Sequence, residues 1–512
     1  MDPLHQLAQD TLYKNKQAIV FTASRASAEK TAEELSKLTT VQLLDLSQKV
    51  LKSISSPTKQ CRRLSNCIKK GMAFHHSGLT SQQKDLIEEE FKKGTIKIIC
   101  ATPSLAAGLS LPAFRVILKS LKRYSGRRGM DWIPVLEYYQ MAGRAGRPEY
   151  ESFGEAIAIA KTEAEKEQIH ERYILGEPEE IYSKLAAEPA LRMDRLSLIS
   201  AGIIKDYESM KNFFSQTFWA HQFKDTFKLE AIMEKITALL EEWGFITLSE
   251  KTTTPSDFTP ANKINQPPQG SIRSTLIGKR VSELYLDPLT ARHLLDCLKN
   301  FTIEKKPFSI LQMISNSLEM YPKLRVKVKE QDKIQESLVE NYDLLLQEEP
   351  SAFDYEYDDF INSIKTTLFF EAWINEKEED FLLEEFDVRP GEIRVKMEIA
   401  NWLLYASHEL AKLTNLDRLL IREISKLRIR IKNGVKEDLL PLLKLKGIGR
   451  IRSRKLVNNN LKDLGDLKKV DITSLSQILG PTIAVDIKKQ LGEEIKEIPK
   501  GKRKGQLSLN KY

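Results

Sequence analysis

Over roughly the first 175 residues, short apolar runs rich in β-branched side chains alternate with polar segments of helical spacing. Gln17–Ala23 (QAIVFTA) has strand character, and SRASAEKTAEELSKL then spaces Ala28, Ala32 and Leu35 as a helix does. Met72–Phe74 precedes HHSGLTSQQKDLIEEEFKKG, a loop and helix closing at Gly94. Ile96–Ala101 (IKIICA) is continuously apolar, the pattern of a strand covered on both faces. Val116–Leu118 and Ala156–Ala160 add two more strands. Such alternation predicts an α/β domain built on a parallel sheet.

The pattern changes after about Glu177, where strands nearly vanish. Residues Glu180–Glu242 read as helices. Phe245–Leu248 and Ser274–Ile277 read as two strands around the Thr/Pro/Asn/Gln-rich loop Thr252–Gly270, a combination that predicts a winged helix over 178–287. From Pro288 to about Val435 the chain is almost entirely helical, an all-α bundle over 288–436. Residues 437–495 read as a small helical domain, and 496–512 (ending GKRKGQLSLNKY) as a basic flexible tail.

A chain of 512 residues with 41% apolar and 29% charged side chains has enough material for several cores, which excludes wholesale disorder. No apolar run approaches the ~18 residues of a membrane span, and MDPLHQLAQDTLYKNK lacks the order of a secretory signal. Cys61, Cys67, Cys100 and Cys297 are too scattered for a disulfide framework and form no CxxC, so the expectation is a reduced, cytoplasmic protein without a metal site. The net charge of +8 is unevenly placed: Pro441–Tyr512 carries 17 basic against 7 acidic residues. That surplus suggests a polyanion met at the C-terminal end, or simply a solvated basic tail. Asp343–Asp387, with 15 acidic residues against two lysines, is a poor nucleic-acid surface.

The sharpest motif is QMAGRAGRP at Gln140–Pro148. Arg144 and Arg147, three apart, share a helical face, and the small residues between them admit a close backbone or ligand. An arginine pair of this kind can clamp the charge of a phosphoryl group in transfer, or pair with ordinary carboxylates. Upstream, ATPSLAAGLSLPA (Ala101–Ala113) places Thr102 at the carboxyl end of a strand, with Gly108 and Ser110 offering a turn and a hydroxyl suited to phosphate or ribose. AFHHSGL and VFTASRASAEKTAEEL also follow strands, so all four motifs fall on one sheet edge.

The ordered set VFTASR, HHSGL, ATPSLAAGLSLPA and QMAGRAGRP resembles the second RecA-like domain of superfamily-two helicases. LRMDRLSLI, STLIGKRVSELYLDPLTARHLLDCL, FFEAWINEKEEDFLLEEF, GEIRVKMEIANWLLYASHEL and LRIRIKNGVKEDLLPLLKLKGIGRIRSRKL resemble the archaeal Ski-like DNA-repair helicases related to HELQ and the polymerase-theta helicase domain. On that resemblance 1–177 is the second RecA-like domain, 288–436 a ratchet bundle and 437–495 a helix-hairpin-helix domain. The family also has a first RecA-like domain with GxxxxGK[ST] and a DExH box, and this sequence contains neither motif. The resemblance therefore implies the C-terminal part of an ATP-dependent 3′–5′ DNA helicase of replication-fork repair and recombination. ATP and Mg²⁺ would be held mainly by a separate N-terminal half, without which the chain would not turn over ATP.

The same resemblance assigns roles. Arg144 and Arg147 would reach the γ-phosphate, with Gln140 beside them, and Gly108 and Ser110 would border the nucleotide. Thr22, Ser24, Arg25, His76, Gly78, Thr102 and Ser110 would lie along the nucleic-acid track. A β-hairpin around YSGRRG would part the duplex, with Tyr124 stacking on a base pair and Arg127 and Arg128 on phosphates. Trp402 would stack on single-stranded bases from a long helix. Its basic partner is open, since Val395 stands seven residues before it and Arg394 and Lys396 lie off that stripe. From the residues themselves, LKGIGRIRSRKL is a tight turn between helices in which Gly447 and Gly449 admit a phosphate and Arg450, Arg452, Arg454 and Lys455 add counter-charge, favouring DNA over RNA. Gln506, Leu509 and Tyr512 have a spacing similar to sliding-clamp-binding peptides, without the second aromatic. The expected partners are single-stranded and forked DNA, the N-terminal half and a sliding clamp. The rivals are a non-catalytic DNA-binding adaptor and an RNA helicase fragment.

Overall fold

In the computed structural model the described residues are 2–53, 57–106, 111–124, 130–146, 153–185, 187–223, 226–249, 270–302 and 307–493, with the backbone alone at Tyr124 and 226–229. They form two units. One comprises Met1–Tyr182 with Glu379–Val395, the other Ser183–Glu378 with Lys396–Tyr512. The split assigns Glu379–Val395 to the sheet-bearing unit, whereas sequence pattern places that stretch inside the helical bundle.

The first unit holds a five-stranded parallel sheet of β1 (Ala18–Phe21), β2 (Met72–His75), β3 (Ile98–Ala101), β4 (Arg115–Leu118) and β7 (Glu155–Ala158), in the order β2-β3-β1-β4-β7. β1 is central: Ala18 pairs in register with Ile98 on one side and Arg115 on the other. Every residue of β1 to β4 is buried, which is why these segments read as unbroken apolar runs. Helices Arg25–Ser36, Lys59–Lys69 and Ser81–Lys92 pack against β2, and each begins at a hydroxyl cap: Ser24, Thr58 and Thr80. His75 at the end of β2 and Arg115 at the start of β4 are the polar exceptions. Arg115 is 3% exposed, and its guanidinium donates to Glu155 Oε2 at 2.6 Å, Asp10 Oδ2 at 2.8 Å and the Leu7 carbonyl at 2.8 Å. The strand therefore starts one residue before the apolar run suggests. Two further strands, β5 (Lys122–Tyr124) and β6 (Met130–Trp132), pair antiparallel as a hairpin.

In the second unit, β8 (Ile246–Leu248) and β9 (Ile272–Ser274) form a two-stranded antiparallel sheet near the helices Glu188–Ser200 and Leu276–Glu283. β9 lies earlier than Ser274–Ile277, because Thr275 caps the next helix and commits Leu276 and Ile277 to it. Arg192 and Asp287 form a buried bidentate pair at 2.7 and 2.8 Å. The bundle contains helix Pro307–Ser315, buried from Phe308 to Ser315, against Tyr357–Ile374. The C-terminal helices enclose a small core of Leu442, Leu456, Leu467, Leu475, Ala484 and Ile487. Before the GIG turn stands only a 3₁₀ turn, Leu442–Lys444, in place of the expected helix. No described helix is long and apolar enough to cross a membrane.

Phe21 is 1% exposed at the end of the central strand. Phe21→Ala should lower the unfolding free energy of the sheet unit by about 3–5 kcal/mol, measured by denaturant titration.

Candidate nucleic-acid interface

The carboxyl ends of β1, β2 and β3 release three loops at one edge of the sheet, Thr22–Ser24, His76–Leu79 and Thr102–Ala106. Parallel register brings them level: the Thr22 N–H donates to Ala101 O at 2.9 Å and the Thr102 N–H to His75 O at 3.3 Å. They border a cavity of about 840 Å³ lined by Ser24, Arg25, Ser77, Thr102, Ser104, Arg123, Glu137, Gln140 and Arg389, among others. Four residues singled out in the sequence (Ser24, Arg25, Thr102 and Gln140) thus meet in one cleft. Ser77, Arg123 and Arg389 were missed. Ser77 stands inside the HHSGL motif, but nothing local marks Arg389, more than 300 residues away.

The loops divide the labour between lining and support. Thr22 is 2% exposed and its hydroxyl donates to Ser24 O at 3.2 Å, so it shapes the turn and cannot itself face a ligand. Ser24 is exposed and caps the helix Arg25–Ser36 by accepting from the Ser27 N–H at 3.2 Å. The Thr102 and Ser104 hydroxyls lie 2.9 Å apart at the cleft rim.

His76 is likewise a support residue. It is 0% exposed, its Nδ1 accepts the Gly78 N–H at 3.1 Å, and its Nε2 lies 3.2 Å from Glu29 Oε1. With Nδ1 accepting, Nε2 carries the proton and donates it to Glu29. A phosphate cannot reach this ring. Glu29 also accepts from Gln60 Nε2 at 3.0 Å and Arg389 Nε at 3.3 Å, and pairs with Arg63. Burial acts to raise the Glu29 pKa, but the hydrogen bonds from His76 and Gln60 and the charges of Arg389 and Arg63 outweigh it and hold the carboxyl at about 2. Burial keeps His76 neutral against the pull of that carboxylate. A Cβ at Gly78 would lie 2.5 Å from Arg389 Cδ, and one at Gly391 2.4 Å from the Leu79 carbonyl. Glycine at both positions lets the Arg389–Gly391 segment lie directly on the HHSGL loop, where the Gly391 N–H donates to Gly78 O at 3.0 Å.

Gln140 faces the cleft from helix Val135–Ala142, whose first N–H groups, those of Val135 and Leu136, donate to Glu179 at 2.6 and 3.2 Å. Arg144 follows this helix and donates from Nη2 to Ala106 O at 2.5 Å, joining the QMAGRAGRP segment to the loop after β3. Its Nε is buried and finds no acceptor among the described residues. The segment is held by a short bridge in which the Ala113 N–H donates to Arg144 O at 2.9 Å and the Gly146 N–H to Ala113 O at 2.7 Å. Arg147, Gly108 and Ser110 lie outside the described residues. So do Arg127, Arg128 and the Tyr124 side chain, although the two strands of their hairpin are present. On that hairpin Arg123 pairs with Glu137 at 2.8 Å, and Lys122 Nζ stands 4.1 Å from the Trp132 ring centre.

In the second unit Trp402 sits half-buried on helix Pro390–Leu413, its indole N–H donating to Leu284 O at 3.0 Å. Lys396 is buried and donates to Met320 O at 2.8 Å, so it is withdrawn from any ligand. Arg394, on the first unit's stretch of the same helix, is exposed. Sequence inspection missed Arg428, whose guanidinium stacks 4.7 Å from the Tyr405 ring and donates to Asn401 at 2.9 Å. In the GIGRIRSR turn Gly447 adopts φ +78°, and a Cβ at Gly447 or Gly449 would meet nothing within 4 Å, so the approach is open. The arginines differ from the uniform counter-charge expected of them. Arg454 is locked to Glu376 at 2.6 Å and Asp438 at 2.8 Å and is not free to bind a phosphate. Arg450 donates to Lys377 O at 2.9 Å, and exposed Arg452 to Gly447 O at 2.5 Å. Gln506, Leu509 and Tyr512 lie outside the described residues. Among those described, no cluster of metal-ligating side chains occurs, and all four cysteines are buried and unpaired.

Residues 2–149 match the family model described as helicase conserved C-terminal domain, and 308–434 match archaeal helicase, domain 4. The chain is 37% identical to the ATP-dependent DNA helicase Hel308 of Pyrococcus horikoshii, over 98% of its own length and 67% of that protein's. Identity to the Pyrococcus abyssi protein of the same name is 37% over the same shares, and to that of Methanocella arvoryzae 35% over 97% and 66%. The chain belongs to the Hel308 family. It spans about two thirds of the length of these Hel308 relatives.

Acidification should loosen the sheet unit in two stages. His75, buried and kept neutral, titrates at about 3 against an ordinary 6.5, so the unfolded chain takes up the proton first and stability falls as pH drops below 6.5. Glu29 titrates at about 2 against 4.5, so its stabilisation is complete above 4.5 and is lost as pH falls towards 2. Glu29→Gln should be less stable by about 2–3 kcal/mol at pH 7 and should show a smaller second stage in a series of melts from pH 7 to pH 2.

Proposed function

We propose that this chain works as the C-terminal part of an ATP-dependent DNA helicase of 3′–5′ polarity, acting on forked DNA in replication repair. The observation that carries this reading is the single cleft at the carboxyl edge of the parallel sheet. It brings Ser24, Arg25, Ser77, Thr102 and Gln140 together from four motifs far apart in sequence. Hydroxyls, a loop edge and three arginines suit the sugar–phosphate backbone, which any sequence presents alike. A translocating enzyme needs that indifference. Membership of a family whose named members are ATP-dependent DNA helicases supports the same substrate.

Neither GxxxxGK[ST] nor a DExH box is present, so the phosphate-cradling loop and the Mg²⁺-holding carboxylate must come from another RecA-like domain. On this reading residues 1–177 are the second RecA-like domain, and Arg144 with Arg147 reach the γ-phosphate across the joint. The buried Arg144 Nε, which meets no acceptor among the described residues, suits a group that waits for an anion. Residues 178–287 are a winged helix, 288–436 a ratchet carrying Trp402, and 437–495 a helix-hairpin-helix module gripping DNA through its open glycine turn.

Mixing the chain with a Walker-loop domain of a Hel308 relative and single-stranded DNA tests this. ATP hydrolysis should need both parts and the DNA, and robust turnover by the chain alone would overturn it. In the reconstituted enzyme Arg144→Ala should lower ATP turnover by ~10³-fold with DNA affinity retained. Loss of DNA binding instead would remove Arg144 from the nucleotide.

A further inference from the structure

The cleft contains cations, yet carboxylates of the same unit already hold them. Arg25 lines the cavity, and its Nη1 is bound to Glu392 Oε1. Arg389, also on the cavity wall, donates to Glu29 and has Asp387 at 3.6 Å and Glu392 at 4.0 Å. Arg123 pairs with Glu137 at 2.8 Å. The Arg25 pair differs from the others in what its acid does. Glu392 is the third residue of helix Pro390–Leu413, and its Oε2 accepts the Arg389 backbone N–H at 3.0 Å, the return bond of a capping box. That bond needs only an acceptor, and glutamine supplies one equally well. The capping bond therefore does not depend on the negative charge of Glu392, which acts chiefly on Arg25 and, at 4.0 Å, on Arg389. The side chains of the pair are 38% and 25% exposed, so an incoming anion can reach it from the cleft.

We propose that Glu392 is an internal competitor of the nucleic-acid backbone. Its carboxylate occupies the Arg25 guanidinium when the cleft is empty, and a phosphate must displace it on binding. Arg25 is thus kept ordered in the empty cleft, while affinity is held down so that each bound phosphate can leave again. This inference rests on the reading of the cleft as a nucleic-acid track.

The test measures binding of the full chain to labelled oligo(dT) by fluorescence anisotropy over a salt series, with a melt for each variant. Glu392→Gln should bind about fivefold tighter, the worth of one partly exposed ion pair. Its log–log salt slope should steepen by up to ~0.7, because no displaced carboxylate is left to take up a cation when the phosphate binds. Arg25→Ala should weaken binding and should abolish the gain when combined with Glu392→Gln. Glu392→Ala, which also removes the cap, should show the same gain at a lower melting temperature. Unchanged or weaker binding by a folded Glu392→Gln, or a gain that survives Arg25→Ala, would overturn the competition. Should Arg25→Ala alone leave affinity untouched, the cleft reading itself would fall, a separate result.

Discussion

Glu29 is a buried carboxylate with one hydrogen-bonded histidine, one amide and two guanidinium groups around it. It stands on the first helix after the central strand, and its partners come from helix Lys59–Lys69, the loop after β2 and the segment before helix Pro390–Leu413. Several elements are thus referred to one charge. Burial alone would push this carboxyl above its ordinary range and disfavour its charge. The surrounding donors reverse that tendency and hold the carboxyl at about 2. The rim residues Ser24, Ser77 and Arg25 sit on the outer side of this hub. Their geometry follows from a contact that never faces the ligand.

Much of the sheet was legible because burial on both faces leaves a simple trace. Four of its five strands are buried at every position, and a buried parallel strand has no polar alternation to obscure it. The failures are equally physical. Arg115 looks like a strand boundary, because a buried arginine is uncommon, and only the acids Asp10 and Glu155 make it tolerable. Ile277 looks like strand, because a threonine cap two residues earlier is a weaker signal than a β-branched side chain.

At the site, motif position was legible and side-chain direction was not. HHSGL announces a loop at a sheet edge, but whether His76 faces out or in depends on Glu29, 47 residues away. The same holds for GIGRIRSR. With Lys455 just after it, the motif offers four basic residues in six positions and suggests a uniform phosphate grip, yet Arg454 faces Glu376 and Asp438, residues outside the turn. Trp402 shows the intermediate case. Its helix is legible from periodicity, but the bond to Leu284 that fixes the indole arises across 118 residues. Local sequence reports which chemistry is available; long-range pairing decides which of it remains available.

That distinction bears on how a track for a translocating strand differs from a high-affinity site. A site built for tight binding leaves its cations uncompensated, so that every phosphate contact adds its full electrostatic weight. Here Arg25, Arg123 and Arg389 each have a carboxylate within hydrogen-bonding or ion-pairing reach. On the proposed reading of the cleft, phosphate contacts made there would replace existing pairs, so the net gain per contact would be a difference between two similar terms. A track of that kind would grip weakly at each position and release easily. It suits a motor that must let go of one nucleotide to take the next.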